Sequence, residues 1–241
     1  MTVVESAQRF GAATRTRRTV RWVLLVGAVV LVGVAVWLVW FSSVLSVTQV
    51  RVLGATTVSA DLVRQTAAVP PAQPLARVDV AGITARVAAI PQVAGVEVRR
   101  GWPDVLVIVV TERVPVVVLK DGSGWTYADV TGVRFGAPAT PPHGMPIVTA
   151  ASDQALVSAA AVVDALPQPL RATVTAVSAR TRDDVVLTLS GGASVRWGSA
   201  DESARKAAVL AALVKVRATY YDVSAPDLPT TRGTSPAPSP S

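Results

Sequence analysis

An unbroken apolar segment near the N-terminus constrains this chain more than any other feature. Residues 22–41 consist only of Ala, Val, Leu, Gly, Trp and Phe. A helix of about twenty such residues is about 30 Å long, which matches the hydrocarbon core of a bilayer. Trp22 lies at one end of the segment, and Trp37, Trp40 and Phe41 lie at the other, where interfacial aromatic side chains are enriched. The segment therefore predicts a single transmembrane helix.

The residues before this segment are strongly basic. Glu5 is their only acidic residue, and their arginines are Arg9, Arg15, Arg17, Arg18 and Arg21. After the segment, the first charged residue is Arg51. Because positively charged flanks stay in the cytoplasm, we predict a cytoplasmic tail over residues 1–21 and extracytoplasmic domains after residue 41.

Two other interpretations of the apolar segment are weaker. A cleaved signal peptide has a shorter apolar core, followed by a site of small residues. Here the core is longer, and the following Ser42-Ser43-Val44 is a poor cleavage site. A buried core helix of a soluble protein rarely lacks polar residues over its whole length. An uncleaved anchor explains the segment best.

Composition excludes several classes of site. The chain has 241 residues, a formal charge of +7, no Cys and one His. The lack of Cys excludes disulfides, thiolate zinc sites and iron–sulfur clusters, and a single His143 excludes sites that need two imidazoles. A basic protein can bind nucleic acid, but much of this basic excess lies in the N-terminal tail, where membrane topology explains it. We expect no nucleic-acid partner.

The residues that follow the anchor predict a small α+β unit. Its segments are a strand at residues 47–53, helices at 60–68 and 79–90, and strands at 93–100 and 105–110. The last strand is apolar without interruption, which is typical of a central strand. The predicted order is β-α-α-β-β.

A second unit predicts a mixed β domain with two helices. Strand patterns occupy residues 115–119, 125–133 (with a turn), 174–179, 185–189, 193–197 and 220–224. One helix is expected at residues 152–166. The other is expected from about residue 199 to 217, with Val209, Ala212, Leu213 and Val216 as its apolar stripe. Residues 227–241 are rich in Pro, Ser, Thr and Ala, which predicts a disordered tail. The fold class is α+β with one transmembrane helix.

Few residues suggest chemistry. His143 lies in a loop without an acidic cluster, and the adjacent Asp183 and Asp184 point to opposite faces of a strand, which favours a turn over an acid–base pair. Glu112 and Arg113, between the two units, are open to two interpretations, a structural ion pair or a binding role. We predict no catalytic, metal-binding or cofactor-binding residues.

The external residues carry several short motifs in a fixed order. They are VTQVRVLG at 47–54, LARVD at 75–79, VEVRRGWPD at 96–104, VVTERVPVV at 109–117, WTYAD at 125–129, WG at 197–198 and YDVSAP at 221–226. These motifs resemble the FtsQ/DivIB family of cell-division proteins. The R-x-W-P…V-x-E-R-x-P-V pattern is the most specific, and the resemblance extends from residue 20 to about residue 228.

The resemblance implies a fold and a role. Residues 45–113 would be a POTRA domain and residues 114–226 a β domain. The protein would be a non-catalytic scaffold of the divisome at the division septum. It would bind the bilayer and small partners of the FtsB and FtsL types, and would help regulate septal peptidoglycan synthesis. No cofactor, nucleic acid or small-molecule substrate is implied.

The resemblance also implies a partner-binding surface at the last strands of the β domain. Its residues would be Tyr220, Tyr221, Asp222, Val223, Ser224 and Ala225, with Arg180 and Arg182 offered to a partner carboxylate. A free strand edge accepts an added strand, and a tyrosine supplies an anchor. The alternative is a closing strand that only completes the sheet.

Two other functional classes fit less well. A transport or assembly component could use a POTRA unit to hold unfolded strands, but such units usually occur in tandem before a β-barrel, and this chain has too few alternating segments for a barrel. A cell-wall enzyme needs paired carboxylates or an activated nucleophile. Outside the predicted anchor and tail, the chain has only Glu97, Glu112 and Glu202 as glutamates, and its aspartates fall mainly at turns and caps.

Overall fold

The computed structural model describes residues 13–41 and 45–233. Most of the predicted cytoplasmic tail, residues 1–12, and the end of the predicted disordered tail, residues 234–241, lie outside the described residues. After the anchor, the described residues divide into two compact units. The first contains residues 45–90 and 95–111, and the second contains residues 91–94 and 112–233.

The N-terminal helix α1 (Ala13–Phe41) contains the whole predicted apolar segment. It begins earlier than predicted, within the basic flank, because Ala and Arg are strong helix formers. Its portion Trp22–Trp40 is long and apolar enough to cross a membrane, and none of that portion is buried. The predicted boundary residues Arg21, Trp22, Trp37, Trp40 and Phe41 all lie on α1. Its length and composition suit a single-pass membrane anchor.

The first unit has the predicted β-α-α-β-β order. Its elements are β1 (Gln49–Leu53), α2 (Ala60–Ala67), α3 (Val80–Ala88), β2 (Val93–Gly101) and β3 (Val105–Glu112), with a 3-10 turn at Leu75–Arg77. The sheet order is β1-β3-β2, with β1 parallel to β3. The apolar strand β3 is therefore central, as its composition predicted.

Local capping and periodic apolar residues explain the two helices of the first unit. The Ser59 hydroxyl accepts a hydrogen bond from the Asp61 amide (3.2 Å), and the Asp79 carboxylate accepts one from the Gly82 amide (2.9 Å). The buried side chains of the two helices are Val63, Ala67, Ile83 and Val87, and those of the central strand β3 are Leu106, Ile108 and Val110. They recur at helical and alternating strand spacing, so each element contributes one face to the core.

The second unit is built on one nine-stranded mixed sheet. Its strands are β4 (Val117–Asp121), β5 (Gly124–Ala128), β6 (Arg134–Phe135), β7 (Ile147–Ala150), β8 (Val174–Thr181), β9 (Asp184–Leu189), β10 (Ser194–Gly198), β11 (Tyr220–Asp222) and β12 (Thr230–Arg232). Their order is β12-β11-β10-β9-β8-β7-β4-β5-β6. The helices are α4 (Asp153–Ala165), α5 (Gln168–Arg171) and α6 (Ser203–Leu213).

The short elements β7 and α5 were not predicted. Strand β7 lies in the middle of the sheet and pairs in parallel with both β4 and β8. It has four residues and runs into α4 almost at once, so it shows neither a long alternating pattern nor a turn signal. The one-turn helix α5 follows α4 after Pro167. Only the long-range partners of β7 make it a strand.

The boundaries and buried face of α6 differ from the prediction. The helix begins at Ser203, where the side-chain oxygen accepts a hydrogen bond from the indole N–H of the buried Trp197 (3.1 Å). Its buried residues are Ser203, Lys206, Ala207 and Leu210. Lys206 donates a hydrogen bond to the Ser199 carbonyl (2.9 Å). This hydrogen bond stabilises a buried lysine, which an apolar-stripe argument does not anticipate.

The predicted stripe on α6 was right only in part, since Val209 and Leu213 pack against the core and the other two residues do not. Ala212 is exposed, Val209 and Leu213 are half-buried, and Val216 lies beyond the end of the helix with its side chain exposed. By contrast, the predicted face of α4 is confirmed. Its buried residues include Leu156, Ala159, Ala160 and Val163.

Candidate partner-binding edge

The strand β11, which was predicted to form a free edge, is covered on both sides. It pairs in parallel with β10 and antiparallel with β12. The prediction that the edge is β11 was therefore wrong, and residues 230–232 of the predicted disordered tail form the edge strand instead. A turn closed by the Leu228 amide on the Ala225 carbonyl (3.0 Å) returns the chain, and Thr230 and Thr231 are β-branched residues that favour a strand.

The new edge strand is lightly attached. All of its residues are exposed. At its end, the Thr219 amide and hydroxyl both donate to the Arg232 carbonyl, at 3.2 and 3.1 Å. The Arg232 guanidinium lies 5.7 Å from the centroid of the Tyr220 ring, which is a cation–π distance. The strand thus extends the sheet without contributing a buried side chain.

The hydrogen-bond pattern shows which groups of β12 face outward. Thr219 and Val223 bond towards β10, through the Thr219 carbonyl and the Val223 amide. Since bonding direction alternates along a strand, Tyr220 and Asp222 bond towards β12. Their register partners are Arg232 and Thr230. Thr231, between these two, therefore presents its N–H and C=O to the outer side of the sheet.

The two predicted tyrosines have different environments. Tyr221 is 3% exposed, and its hydroxyl donates to the Val216 carbonyl (2.7 Å) and accepts from the Ala218 amide (3.1 Å). Its ring therefore belongs to the core of the second unit. Tyr220 is only half-buried and lies on the opposite face of β11. Of the two tyrosines, Tyr220 is therefore the more exposed.

Asp222 organises the end of β11. Its carboxylate accepts hydrogen bonds from the Ser224 hydroxyl (2.6 Å) and amide (3.0 Å), and Arg196 lies 3.9 Å away. Burial alone would raise the pKa of Asp222, but the Ser224 hydrogen bonds, the Arg196 charge and the Tyr220 hydroxyl hold that pKa below its ordinary value. Asp222 therefore fixes the start of the loop that leads to β12.

Arg180 and Arg182 lie at the β8–β9 hairpin, whose strands β9 and β8 are two and three places from β11 in the sheet order. Arg180 pairs with Asp184 (2.8 Å) and Arg182 with Asp183 (3.3 Å), and both arginine side chains are largely exposed. Because these are exposed pairs, a partner carboxylate could replace either acid at low cost.

Gly198 brings the hairpin and the end of β11 together. A Cβ at Gly198 would lie 3.0 Å from the Ser224 Cβ and 3.9 Å from the Asp183 carbonyl oxygen. Its φ is +76°, and the β9–β10 register shifts at this point. The structure therefore places the predicted Ser224 and the hairpin of Arg182 at the same end of the sheet, with a glycine between them.

The loop from β11 to β12 completes the site. Val223 is buried, whereas Ser224 and Ala225 are exposed. Asp227 forms an exposed ion pair with Arg205 of α6. Sequence reasoning missed Arg205, Asp227 and the edge strand. The Pro-rich composition of residues 227–241 predicted disorder and outweighed the strand preference of Thr230 and Thr231. The only available signal was that pair of β-branched residues.

Arg113, a further candidate from the sequence, has a structural role. Arg113 forms a buried ion pair with Asp129, and its side chain also donates to the Pro91 (3.1 Å) and Val93 (3.0 Å) carbonyls. This supports the structural interpretation of Arg113. Among the described residues, no group of three or more His, Asp or Glu side chains could hold a metal ion.

Known proteins match this chain over most of its length. The profile "POTRA domain, FtsQ-type" matches residues 45–113, and the profile "Cell division protein FtsQ/DivIB, C-terminal" matches residues 117–228. The cell division protein FtsQ of Streptomyces bingchenggensis is 37% identical over 235 residues, covering 90% of this chain and 89% of that protein. The chain belongs to the FtsQ/DivIB family. The predicted family and fold class are thereby confirmed.

A second FtsQ, from Mycolicibacterium smegmatis, is 38% identical over 199 residues, covering 81% of this chain and 60% of that protein. Among solved structures, the major extracytoplasmic domain of DivIB from Geobacillus stearothermophilus matches with a TM-score of 0.35 at 18% identity. That match covers 44% of this chain and 97% of that domain. A likeness this low adds nothing to the family assignment, which rests on the sequence matches.

Proposed function

We propose that this protein is a non-catalytic scaffold of the divisome that binds small single-pass partners of the FtsB and FtsL types. Membership of the FtsQ/DivIB family supports a role in cell division. Features of the described residues support the scaffold role. Hydrogen-bonding strands, ion pairs and an apolar anchor suit assembly. A cell-wall enzyme needs paired carboxylates or an activated nucleophile, and outside the predicted anchor and tail the only glutamates are Glu97, Glu112 and Glu202.

We also propose its topology. The N-terminal residues lie in the cytoplasm, α1 crosses the cell membrane, and both units lie outside, at the division septum. The arginine-rich flank of α1 and the lack of charge between residue 41 and Arg51 support this orientation. The proposed domain boundaries are residues 45–113 for the POTRA domain and 114–226 for the β domain, to which we add β12.

The observation that carries the binding proposal is the exposed edge strand β12. Its outer side ends the sheet, and Thr231 presents an N–H and a C=O there. A partner segment adds as a further strand and gains affinity from backbone hydrogen bonds. The opposite edge strand, β6, suits the addition of a partner strand less well, because it has only two residues.

The predicted site residues support this edge in different ways. Tyr220 contacts Arg232 of the edge strand, while Tyr221, Asp222 and Val223 hold β11 in the sheet. Ser224 and Ala225 are exposed beside the edge. Arg182 and Arg180, at the same end of the sheet as Ser224, are proposed to pair with partner carboxylates.

Depletion of the protein in growing cells tests the cellular role. We expect elongated or branched cells with few septa, with envelope proteins correctly placed, and rescue by the wild-type chain. A chain with the whole of residues 228–241 deleted should restore membrane localisation but not division. Normal septation with misplaced envelope proteins after depletion would reject the scaffold proposal and favour the transport alternative.

A further inference from the structure

A second surface of the β domain has the shape of an anchor pocket. It is a groove of about 510 Å³ formed by α5, the β9–β10 turn and the end of α6. Its apolar lining includes Leu170, Leu189, Ala193, Ala211 and Val214. A groove of this size is within the range of pockets that hold drug-sized ligands, and it exceeds what one bulky side chain needs.

The groove carries one charge. Arg217 is the only charged residue among those that line it. Its side chain is exposed, and among the described residues it forms no hydrogen bond or ion pair. An apolar wall with a single unpaired guanidinium complements an apolar group next to a carboxylate, since Arg binds carboxylates in a bidentate manner.

The position of the groove links it to the proposed edge. Arg217 and Ala218 lie just before β11, with only Thr219 between Ala218 and Tyr220, the first residue of β11. Tyr220 pairs with Arg232, the last residue of β12. The groove therefore lies at the end of the sheet where β12 stops, and opposite the end that holds Ser224 and the hairpin of Arg182. A partner segment that binds along β12 and runs from Thr230 towards Arg232 therefore leaves the sheet beside the groove.

We infer that this groove receives a bulky apolar side chain of the partner segment that pairs with β12, with an acidic residue of the same segment bound to Arg217. This inference rests on the proposed function and adds a second contact to it. Anchors of this kind supply a large share of the binding energy, because they are desolvated in a preformed pocket. The pairing of Arg217 fixes the direction of the partner strand.

Four variants of the full-length chain in nanodiscs test the groove, with the extracytoplasmic domain of the FtsB-type partner as the probe. Ala211→Trp fills the groove, and Ala212→Trp is its control, since Ala212 is also exposed on α6 but does not line the groove. Arg217→Glu reverses the charge. Lys215→Glu is the matched control, because Lys215 is exposed nearby and outside the groove. Affinity is measured by biolayer interferometry at low and high salt.

We expect Ala211→Trp and Arg217→Glu each to weaken binding about tenfold or more, and the two controls to stay within about threefold of wild type. If a lower Tm shows that Ala211→Trp is misfolded, Arg217→Gln should still show a clear loss. Equal losses for Arg217→Glu and Lys215→Glu that vanish at high salt would indicate long-range attraction and overturn the inference.

Different results would reject the groove inference and the proposed function. If Ala211→Trp and Arg217→Glu bind like wild type while Thr231→Pro abolishes binding, the groove inference is rejected and the edge proposal stands. If wild-type protein does not bind the probe at all, the edge proposal and the groove inference both fail.

Discussion

At the scale of single residues, buried polar groups hold the second unit in shape. Asp129 is buried, and its carboxylate accepts hydrogen bonds from the Thr131 amide (2.9 Å), the Thr131 hydroxyl (2.7 Å) and the Val133 amide (2.9 Å), in addition to its ion pair with Arg113. Both oxygens of the carboxylate therefore have partners. A buried pair of this kind is costly to break on one side, since the remaining charge stays unpaired.

We expect Asp129→Asn to lower the free energy of unfolding of the second unit by about 3 kcal/mol, because the Arg113 guanidinium loses its buried counter-charge. Hydrogen exchange of the amides in β5 and β6 measures the change in the full chain. The control is Asp153→Asn, which removes an exposed ion pair with Arg134 and should cost less than about 1 kcal/mol. Equal protection in the two variants would contradict the prediction.

The same carboxylate predicts a pH dependence. Burial alone raises the pKa of Asp129, but the hydrogen bonds from Thr131 and Val133 and the Arg113 charge lower it overall below its ordinary value. A carboxyl group with a lower pKa when folded stabilises the fold above its unfolded pKa, about 4, and loses that contribution as the pH falls further. Protection of β5 amides should be constant from about pH 7 to 5 and fall below about pH 4. Asp129→Asn should remove most of that fall.

Gly198 offers a second residue-scale prediction. At its φ of +76°, any added Cβ is strained and approaches Ser224. We expect Gly198→Ala to destabilise the second unit by about 1–2 kcal/mol and to weaken partner binding by shifting Ser224. Gly122→Ala separates the two causes, since Gly122 has φ +56° but no atom within 4 Å of its Cβ position. If Gly122→Ala weakens binding as much as Gly198→Ala does, the approach to Ser224 has no role.

At the scale of elements, long periodic segments were predictable and short strands were not. Helices α2, α3 and α4 each combine a capping side chain with apolar residues at helical spacing, and all three lie where the pattern predicted. Strands β7 and β12 have four and three residues. Strands that short carry almost no pattern, so only their neighbours in the sheet decide that they form.

The edge strand leads to a prediction at this scale. Thr231→Pro removes the outward N–H of β12 and leaves the inward bonds of Thr230 and Arg232 in place, since proline is tolerated where the N–H of an edge strand faces solvent. We expect partner binding to be lost and the stability of the second unit to be nearly unchanged. Titration of the FtsB-type partner against the full-length variant measures partner binding. Thermal unfolding measures the stability of the second unit.

Two further variants define that prediction. Thr231→Val keeps the N–H and should bind like wild type. Thr230→Pro removes an inward bond and should detach β12 as well as abolish binding. Wild-type affinity of Thr231→Pro would show that the partner does not add to this edge.

At the scale of the whole molecule, one apolar helix precedes two units that each bury their own core. Between Trp22 and Trp40, α1 contains no charged, hydroxyl or amide side chain that could specify a partner helix. We expect that replacing residues 22–41 with an unrelated apolar segment of equal length, and keeping the basic flank, preserves division. Complementation of depleted cells measures this. Loss of division with normal membrane insertion would show that α1 has a specific partner.

The sequence by itself determined the anchor, the order of elements in the first unit, the principal helices and the family. Each of these depends on local patterns, which are hydropathy over one segment, capping residues, periodicity and motif order. The tertiary structure alone decided that Tyr221 belongs to the core, that Lys206 is buried, and that the chain returns after Ala225 to make β12 the edge. These depend on which distant residues meet, and burial and strand pairing follow from those contacts rather than from any local pattern.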